Sequence, residues 1–151
     1  GVYLISPDGQ ETIHHFTTDN APLPSNDIRS IAINPTTGEV MIGTVNGLVS
    51  YMGDATEPED NLDEDNVVIF PNPIRPEYEG DVIIRGLAAD CEVKIATVGG
   101  QVIWSGTSVG GTLTWNCQRK GGGRVASGVY NVIINTANAD NVIVGRLAVI
   151  R

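Results

Sequence analysis

Gly1-Val2-Tyr3-Leu4-Ile5-Ser6-Pro7-Asp8 returns 46 residues later as Gly47-Leu48-Val49-Ser50-Tyr51-Met52-Gly53-Asp54. Each copy opens on glycine, runs through apolar and aromatic residues, and closes on an aspartate beside turn-forming residues. A period of roughly 40 to 50 residues built of short strands marks a propeller blade. Residues 1–52 therefore read as about one blade. A single blade cannot bury both of its faces, so the chain is expected to be part of a larger protein and to enter it inside a repeat.

Working outward, the composition agrees. Among 151 residues there are 18 Gly and 8 Pro, Val and Ile are abundant, and no stretch of helix formers recurs at helical spacing, so an all-β protein with almost no helix is expected. No apolar run reaches the eighteen or so residues needed to cross a bilayer as a helix. The net charge of −9 is unevenly shared. Residues 1–66 hold twelve acids and one base, Arg29 (12 − 1, net −11), whereas residues 67–151 hold six acids and eight bases (8 − 6, net +2). The acidic first half argues against nucleic acid as a partner, because phosphate binding needs clustered Lys and Arg.

Between the halves, residues 53–66 carry seven carboxylates and a single apolar side chain larger than alanine, Leu62. Such a run repels itself and stays hydrated, so it reads as an acidic linker. A calcium loop is the alternative, since Asp63 and Asp65 alternate, but the sixth-place Gly and closing Glu of the twelve-residue pattern are missing.

In the first module, residues 1–5, 12–17, 28–33, 40–43 and 48–52 read as strands, with turns at Pro7-Asp8-Gly9, Ala21-Pro22-Leu23-Pro24 and Asn34-Pro35-Thr36-Thr37-Gly38. The order Leu23-Pro24-Ser25-Asn26-Asp27-Ile28, Ile31, Gly38-Glu39-Val40-Met41-Ile42-Gly43-Thr44, Gly47-Leu48 resembles the two-component-regulator propeller repeat. Met41 stands where that repeat usually has Trp, which suits a last or irregular blade.

In the second module, residues 67–70, 81–86, 91–97, 101–106, 111–115, 129–136 and 142–150 make seven strands, the count and spacing of an immunoglobulin-like β-sandwich. Parity places Cys91, Val93 and Ile95 on one face and Leu113, Trp115 and Cys117 on another, and the two sets should meet in the core with Trp104 and Tyr130. The motifs Phe70-Pro71-Asn72-Pro73, Ile84-Arg85-Gly86-Leu87, Val93-Lys94-Ile95, Gly100-Gln101-Val102, Trp115-Asn116, Gly128-Val129-Tyr130-Asn131-Val132 and Arg146-Leu147-Ala148-Val149 resemble, in order, the C-terminal domain of proteins exported by the type IX secretion system of Bacteroidota. Cys91, Cys117 and the Gly-rich insertion before Gly128 lie outside the usual pattern of that family.

No catalytic constellation is present. His14 and His15 are adjacent on a strand and point to opposite faces, so they do not chelate one metal, and no nucleophile elbow, Walker loop, zinc-protease motif or dinucleotide fingerprint occurs. Neither a cofactor nor an enzymatic activity is expected. Cys91 and Cys117 share inward parity and are either two buried thiols or a disulfide, which would contribute roughly 3 kcal/mol by closing the loop between them. Arg119, Lys120 and Arg124, around Gly121-Gly122-Gly123, form the one concentrated basic site. Their loop is either a flexible connection or a cradle of outward-turned amides for an anionic glycan or acidic surface. Pro71-Asn72-Pro73 removes two backbone donors and should stop the first sandwich strand.

The family resemblance implies a non-catalytic domain read by the outer-membrane translocon and the sortase, hence an exported protein at the cell surface or outer membrane. The joining of propeller and end domain resembles surface components that keep this domain and present anionic lipopolysaccharide to the sortase, with Arg119, Lys120 and Arg124 as anion contacts. The alternative is the periplasmic, glycan-binding part of a hybrid two-component regulator, for which a following membrane segment and kinase would be diagnostic. A plain carbohydrate-binding sandwich would need exposed aromatics, and the chain has only eight aromatic residues, several expected in the core. The exposed blade is expected to dock on the sandwich or on a second copy.

Overall fold

The computed structural model describes residues 1–6 and 8–151; of the Pro7-Asp8-Gly9 turn, Pro7 lies outside the described residues. Twelve strands and no helix are present among the described residues. The chain divides into two compact units, Gly1–Thr56 and Glu57–Arg151.

In the first unit, β1 (Val2–Ile5) pairs antiparallel with β2 (Thr12–Phe16), and β3 (Ile28–Ile33), β4 (Glu39–Thr44) and β5 (Gly47–Met52) form a separate antiparallel sheet in that order. Sequence reading gave one blade and a little more, whereas the five strands fall into a two-stranded and a three-stranded sheet. The break falls between β2 and β3, so β1 and β5, the two strands that carry the repeated phrase, lie in different sheets. The ring of Phe16 on the first sheet packs 5.0 Å from that of Tyr51 on the second. His15 stacks on Tyr3 at 3.9 Å, and His14 lies on the opposite side near Phe16, as strand alternation requires. Asn34 organises the β3–β4 turn, its Oδ1 accepting from the Thr36 and Thr37 amides at 3.0 and 3.3 Å. Among the described residues of this unit only Leu23 and Ile42 are buried apolar residues, while Tyr3, Ile5, Ile13, Ile31, Ile33, Leu48 and Met52 are exposed.

The second unit holds seven strands: β6 (Val68–Phe70), β7 (Val82–Arg85), β8 (Glu92–Thr97), β9 (Val102–Thr107), β10 (Thr112–Trp115), β11 (Gly128–Asn135) and β12 (Val142–Val149). They form a three-stranded sheet in the order β10-β7-β6 and a four-stranded sheet in the order β12-β11-β8-β9. Alternate residues of both sheets meet in one core: Val82, Ile84 and Trp115 from the first, and Val93, Ile95, Tyr130, Val132, Ile134, Ile143, Leu147 and Val149 from the second. Cys91 and Cys117 join this cluster and Leu113 packs against it, as parity required, while on β9 Ile103 lies in the core and Trp104 packs against it.

One feature departs from the sequence reading. Residues 57–66 are not a free hydrated linker but belong to the sandwich unit. The Glu59 amide donates to the Leu87 carbonyl at 2.9 Å, the Asn141 side chain donates to the Leu62 carbonyl at 2.7 Å, and Leu62 itself is buried in the core. The carboxylates keep their water while the one large apolar side chain among them plugs the end of the sandwich.

Sequence left the state of the two cysteines open. Both are free and buried. Cys91 sits where β8 begins, bonded to Ser108: the Cys91 amide donates to Ser108 Oγ at 3.0 Å and the Ser108 amide to the Cys91 carbonyl at 2.9 Å. Cys117 follows Trp115, whose partner Val82 opens β7, and so lies at the opposite end of the strands. Equal parity put both thiols inside but said nothing about their height along the sandwich. Burial pushes both thiols above their ordinary range; for Cys117 the nearby Arg151 and Arg124 cations oppose the shift. A thiol whose pKa is raised on folding adds stability below its unfolded pKa and loses it as pH climbs past that value, about 8.5 for a free cysteine. The urea midpoint is therefore expected to fall between pH 7.5 and pH 10, and less so in a Cys91→Ala/Cys117→Ala variant. Thiol titration should find two free thiols in denaturant and slow labelling in the native protein, and a protein with no titratable thiol would contradict this.

Candidate recognition surface

The motif residues converge on one end of the sandwich, where β12 finishes beside the segment that follows β6. Phe70 ends β6 because the next residue is proline and supplies no donor to a ladder. Asn72 then turns its side-chain amide toward β12: its Nδ2 donates to the Arg146 carbonyl at 2.8 Å, and its Oδ1 accepts from the Ala148 amide at 3.1 Å. One carboxamide thus takes the place of a peptide unit from a neighbouring strand. Ile74 continues the cover, accepting from the Ile150 amide at 2.9 Å and donating to the Ala148 carbonyl at 2.8 Å, and its side chain is wholly buried. Since β12 is the outer strand of its sheet, Pro71, Asn72, Pro73 and Ile74 close an edge that would otherwise offer unpaired amides and carbonyls.

Replacing Asn72 by alanine removes both bonds at a site open to water, and is expected to cost about 1 kcal/mol. Asn72→Asp should cost more than Asn72→Ala, because a carboxylate sets a second acceptor against the Arg146 carbonyl. Urea unfolding of the three proteins tests this order, and equal midpoints would show that the clamp contributes nothing.

At the start of β11, Gly128, Val129 and Tyr130 occupy the same end, with Gly128 opposite Val149. The Tyr130 ring lies in the core while its hydroxyl donates to the Ala126 carbonyl four residues back at 2.8 Å, a tyrosine corner that ties the entry of β11 to the preceding loop. Val129 is exposed, and Arg146 lies opposite Asn131 on the outer face of the sheet. The motif thus has a structural part, Asn72 and Tyr130, supported by the adjoining Ile74, and a solvent-facing part, Pro73, Val129 and Arg146.

The basic loop, residues 118–124, lies at this end too and is exposed throughout. It is closed by the Arg119 amide donating to the Gly123 carbonyl at 2.9 Å and the Gly122 amide to the Arg119 carbonyl at 2.9 Å, and it is tied to β9 by the Lys120 amide and the Ile103 carbonyl at 2.8 Å. Three successive glycines at φ +101°, +99° and +85° make the turn, a conformation other residues adopt at a cost. Four of the seven loop amides, those of Gln118, Arg119, Lys120 and Gly122, are spent inside the protein. The cationic side chains of Arg119, Lys120 and Arg124 remain, Arg124 Nη2 reaching the Glu79 carbonyl at 3.4 Å. The opposite end, around Cys91 and Ser108, carries the acidic segment instead, so the unit is electrically polar along its strands. No group of three His, Cys, Asp or Glu side chains that could hold a metal ion occurs among the described residues.

Sequence reasoning singled out Asn72, Tyr130 and the basic loop, passed over Ile74 and Ser108, and placed Leu62 in a hydrated linker. Ser108 is fully buried and fully used, donating to the Ala88 carbonyl at 3.0 Å while accepting from Cys91. An isolated serine between polar residues leaves no periodic trace; Leu62, alone among carboxylates, did.

No protein-family model and no curated protein matches this chain. Among solved structures, all of it is similar to PorZ, "an essential bacterial surface component of the type-IX secretion system of human oral-microbiomic Porphyromonas gingivalis", with 39% identity and a TM-score of 0.63. The chain spans 20% of the length of that protein. A weaker likeness, 18% identity and a TM-score of 0.42 over 74% of this chain and 12% of the other, is to dimeric latent PorU from Porphyromonas gingivalis.

Proposed function

We propose that this chain is part of a surface component of a type IX secretion system, with residues 57–151 a non-catalytic, immunoglobulin-like export and surface-delivery module and residues 1–56 parts of two consecutive propeller blades. The observation that carries this reading is the 39% identity to PorZ over all of the chain. The edge clamp at Asn72 and Ile74 and the tyrosine corner at Tyr130 support it, because they give the motifs of the export family a physical task. They fix the end of a folded domain, so that a translocon reads a rigid surface centred on Pro73, Val129 and Arg146 and not a flexible peptide. Its location in this reading is the cell surface or outer membrane.

The anion partner follows from the basic loop. Arg119, Lys120 and Arg124 stand on one exposed loop anchored at both ends, which suits a repeating anionic glycan such as anionic lipopolysaccharide better than a single buried phosphate. Presentation of that glycan to the sortase is the task we assign to the module.

The test is a reporter carrying this chain at its C-terminus, expressed in a Bacteroidota strain with a working type IX system and in one lacking it. Surface display only in the first strain is expected, and display in both, or in neither, would refute the export role. A triple Arg119→Glu/Lys120→Glu/Arg124→Glu variant should still be displayed and should lose retention of anionic lipopolysaccharide by tenfold or more (about 1.4 kcal/mol).

A further inference from the structure

The clamp at Asn72 and Ile74 reaches only the later half of β12. Asn72 bonds the Arg146 carbonyl and the Ala148 amide, and Ile74 bonds the Ala148 carbonyl and the Ile150 amide, so the main chain of residues 146, 148 and 150 turns these groups away from β11. In an antiparallel pair that direction alternates from one residue to the next. Val142 and Val144 therefore also aim amide and carbonyl outward, and Arg146 its amide, and none of these groups has a partner among the described residues.

The side chains beside this open stretch are apolar. Val142 and Val144 are 53% and 54% exposed, and Ile133 stands opposite Val144 on the same outer face of the sheet. Edges are ordinarily blunted by lysine, proline or a bulge, and residues 142–145 have none of these. Arg146, on that face, and Asp140, in the turn before β12, form no ion pair among the described residues, although the Asp140 carboxylate accepts from the Thr136 hydroxyl.

We propose that this half of β12 is a self-association edge, on which a second copy of the chain lays its own β12 antiparallel, Val142 opposite Val144, so that two four-stranded sheets continue as one. Outward-facing residues must meet outward-facing residues, which leaves few registers. Val144 opposite Val144 would aim the incoming Val142 amide at the Arg146 carbonyl that Asn72 already occupies. Val142 opposite Val142 would leave Val144 facing the turn at Asp140 instead of a strand. With Val142 opposite Val144, both main-chain groups of each valine are paired, the valines become cross-strand neighbours, and Arg146 comes alongside Asp140 of the second copy on both sides of the twofold axis. One stretch thus supplies both halves of the match, valine to valine and cation to anion, which is why the occupant is a second copy. This is independent of the export role and of the blade reading.

The test uses the whole chain, by sedimentation and by NMR-detected amide exchange at rising concentration. A dimer is expected, with exchange at Val142, Val144 and Arg146 slowed about tenfold or more and that of Ile143 and Gly145, already bonded to β11, unchanged. Arg146→Asp or Asp140→Arg should each weaken the dimer about tenfold, because the ion pair occurs twice, and the exchanged pair Asp140→Arg/Arg146→Asp should restore it. A chain that stays monomeric up to millimolar concentration overturns the proposal. So does a dimer whose Val142, Val144 and Arg146 amides exchange as fast as in the monomer, or a folded double variant that associates no more tightly than the single ones. The exchange pattern of the unaltered chain decides by itself where a substitution at Asp140 disturbs the turn it shares with Thr136.

Discussion

Replacing Gly86 by alanine is expected to lower the unfolding free energy of the sandwich by about 2–5 kcal/mol, about 1–2 from forcing a side chain into left-handed backbone and about 1–3 from overpacking. Gly86 sits at φ +77°, and a Cβ there would lie 2.1 Å from the carbonyl oxygen of Asn66 and 2.6 Å from its carbon. The obstacle is main chain and cannot rotate away, and moving it would drag the end of the acidic segment off the sandwich. Gly100 is the control, because it has φ +89° and nothing within 4 Å of its Cβ position, so Gly100→Ala should show the conformational part alone. Urea unfolding of the two variants separates the contributions. Equal losses would mean that the approach to Asn66 is relieved at no cost.

The second large effect is expected at Trp115. Its side chain is 1% exposed, tilted against Trp104 at 6.2 Å, and its indole Nε1 donates to the Gln118 carbonyl at 2.9 Å. Truncation to alanine removes the largest side chain of the core and should cost about 3–5 kcal/mol. Trp115→Phe keeps much of the apolar contact but loses the indole donor, so it should destabilise less while loosening the basic loop that begins at Gln118. Hydrogen exchange of residues 118–124 reads that loosening directly. If the phenylalanine variant leaves the loop amides as protected as before, the indole bond does not anchor the loop.

These two residues also mark where the sequence was legible. The seven sandwich strands, the inward facing of Val93, Ile95 and Trp115, and the stop at Phe70 all follow from period-two alternation and from proline, which act over a few neighbouring residues. Tyr130 was readable as a core residue for the same reason, although its bond to the Ala126 carbonyl was not. Gly86 was visible within a motif, but its φ and the closeness of Asn66 depend on a chain segment twenty residues earlier.

By itself, then, the order of residues determined that this is an all-β chain, that a phrase returns once after 46 residues, and which side of β8 and β10 faces inward. Tertiary structure alone decided that Cys91 and Cys117 stand at opposite ends, that Leu62 carries the acidic segment into the core, that Asn72 closes the edge of β12, and that the five strands of the first unit divide between two sheets. Alternation fixes a face but not a height, and charge fixes hydration but not the resting place of one leucine. Both are settled only when distant segments compete for the same buried space.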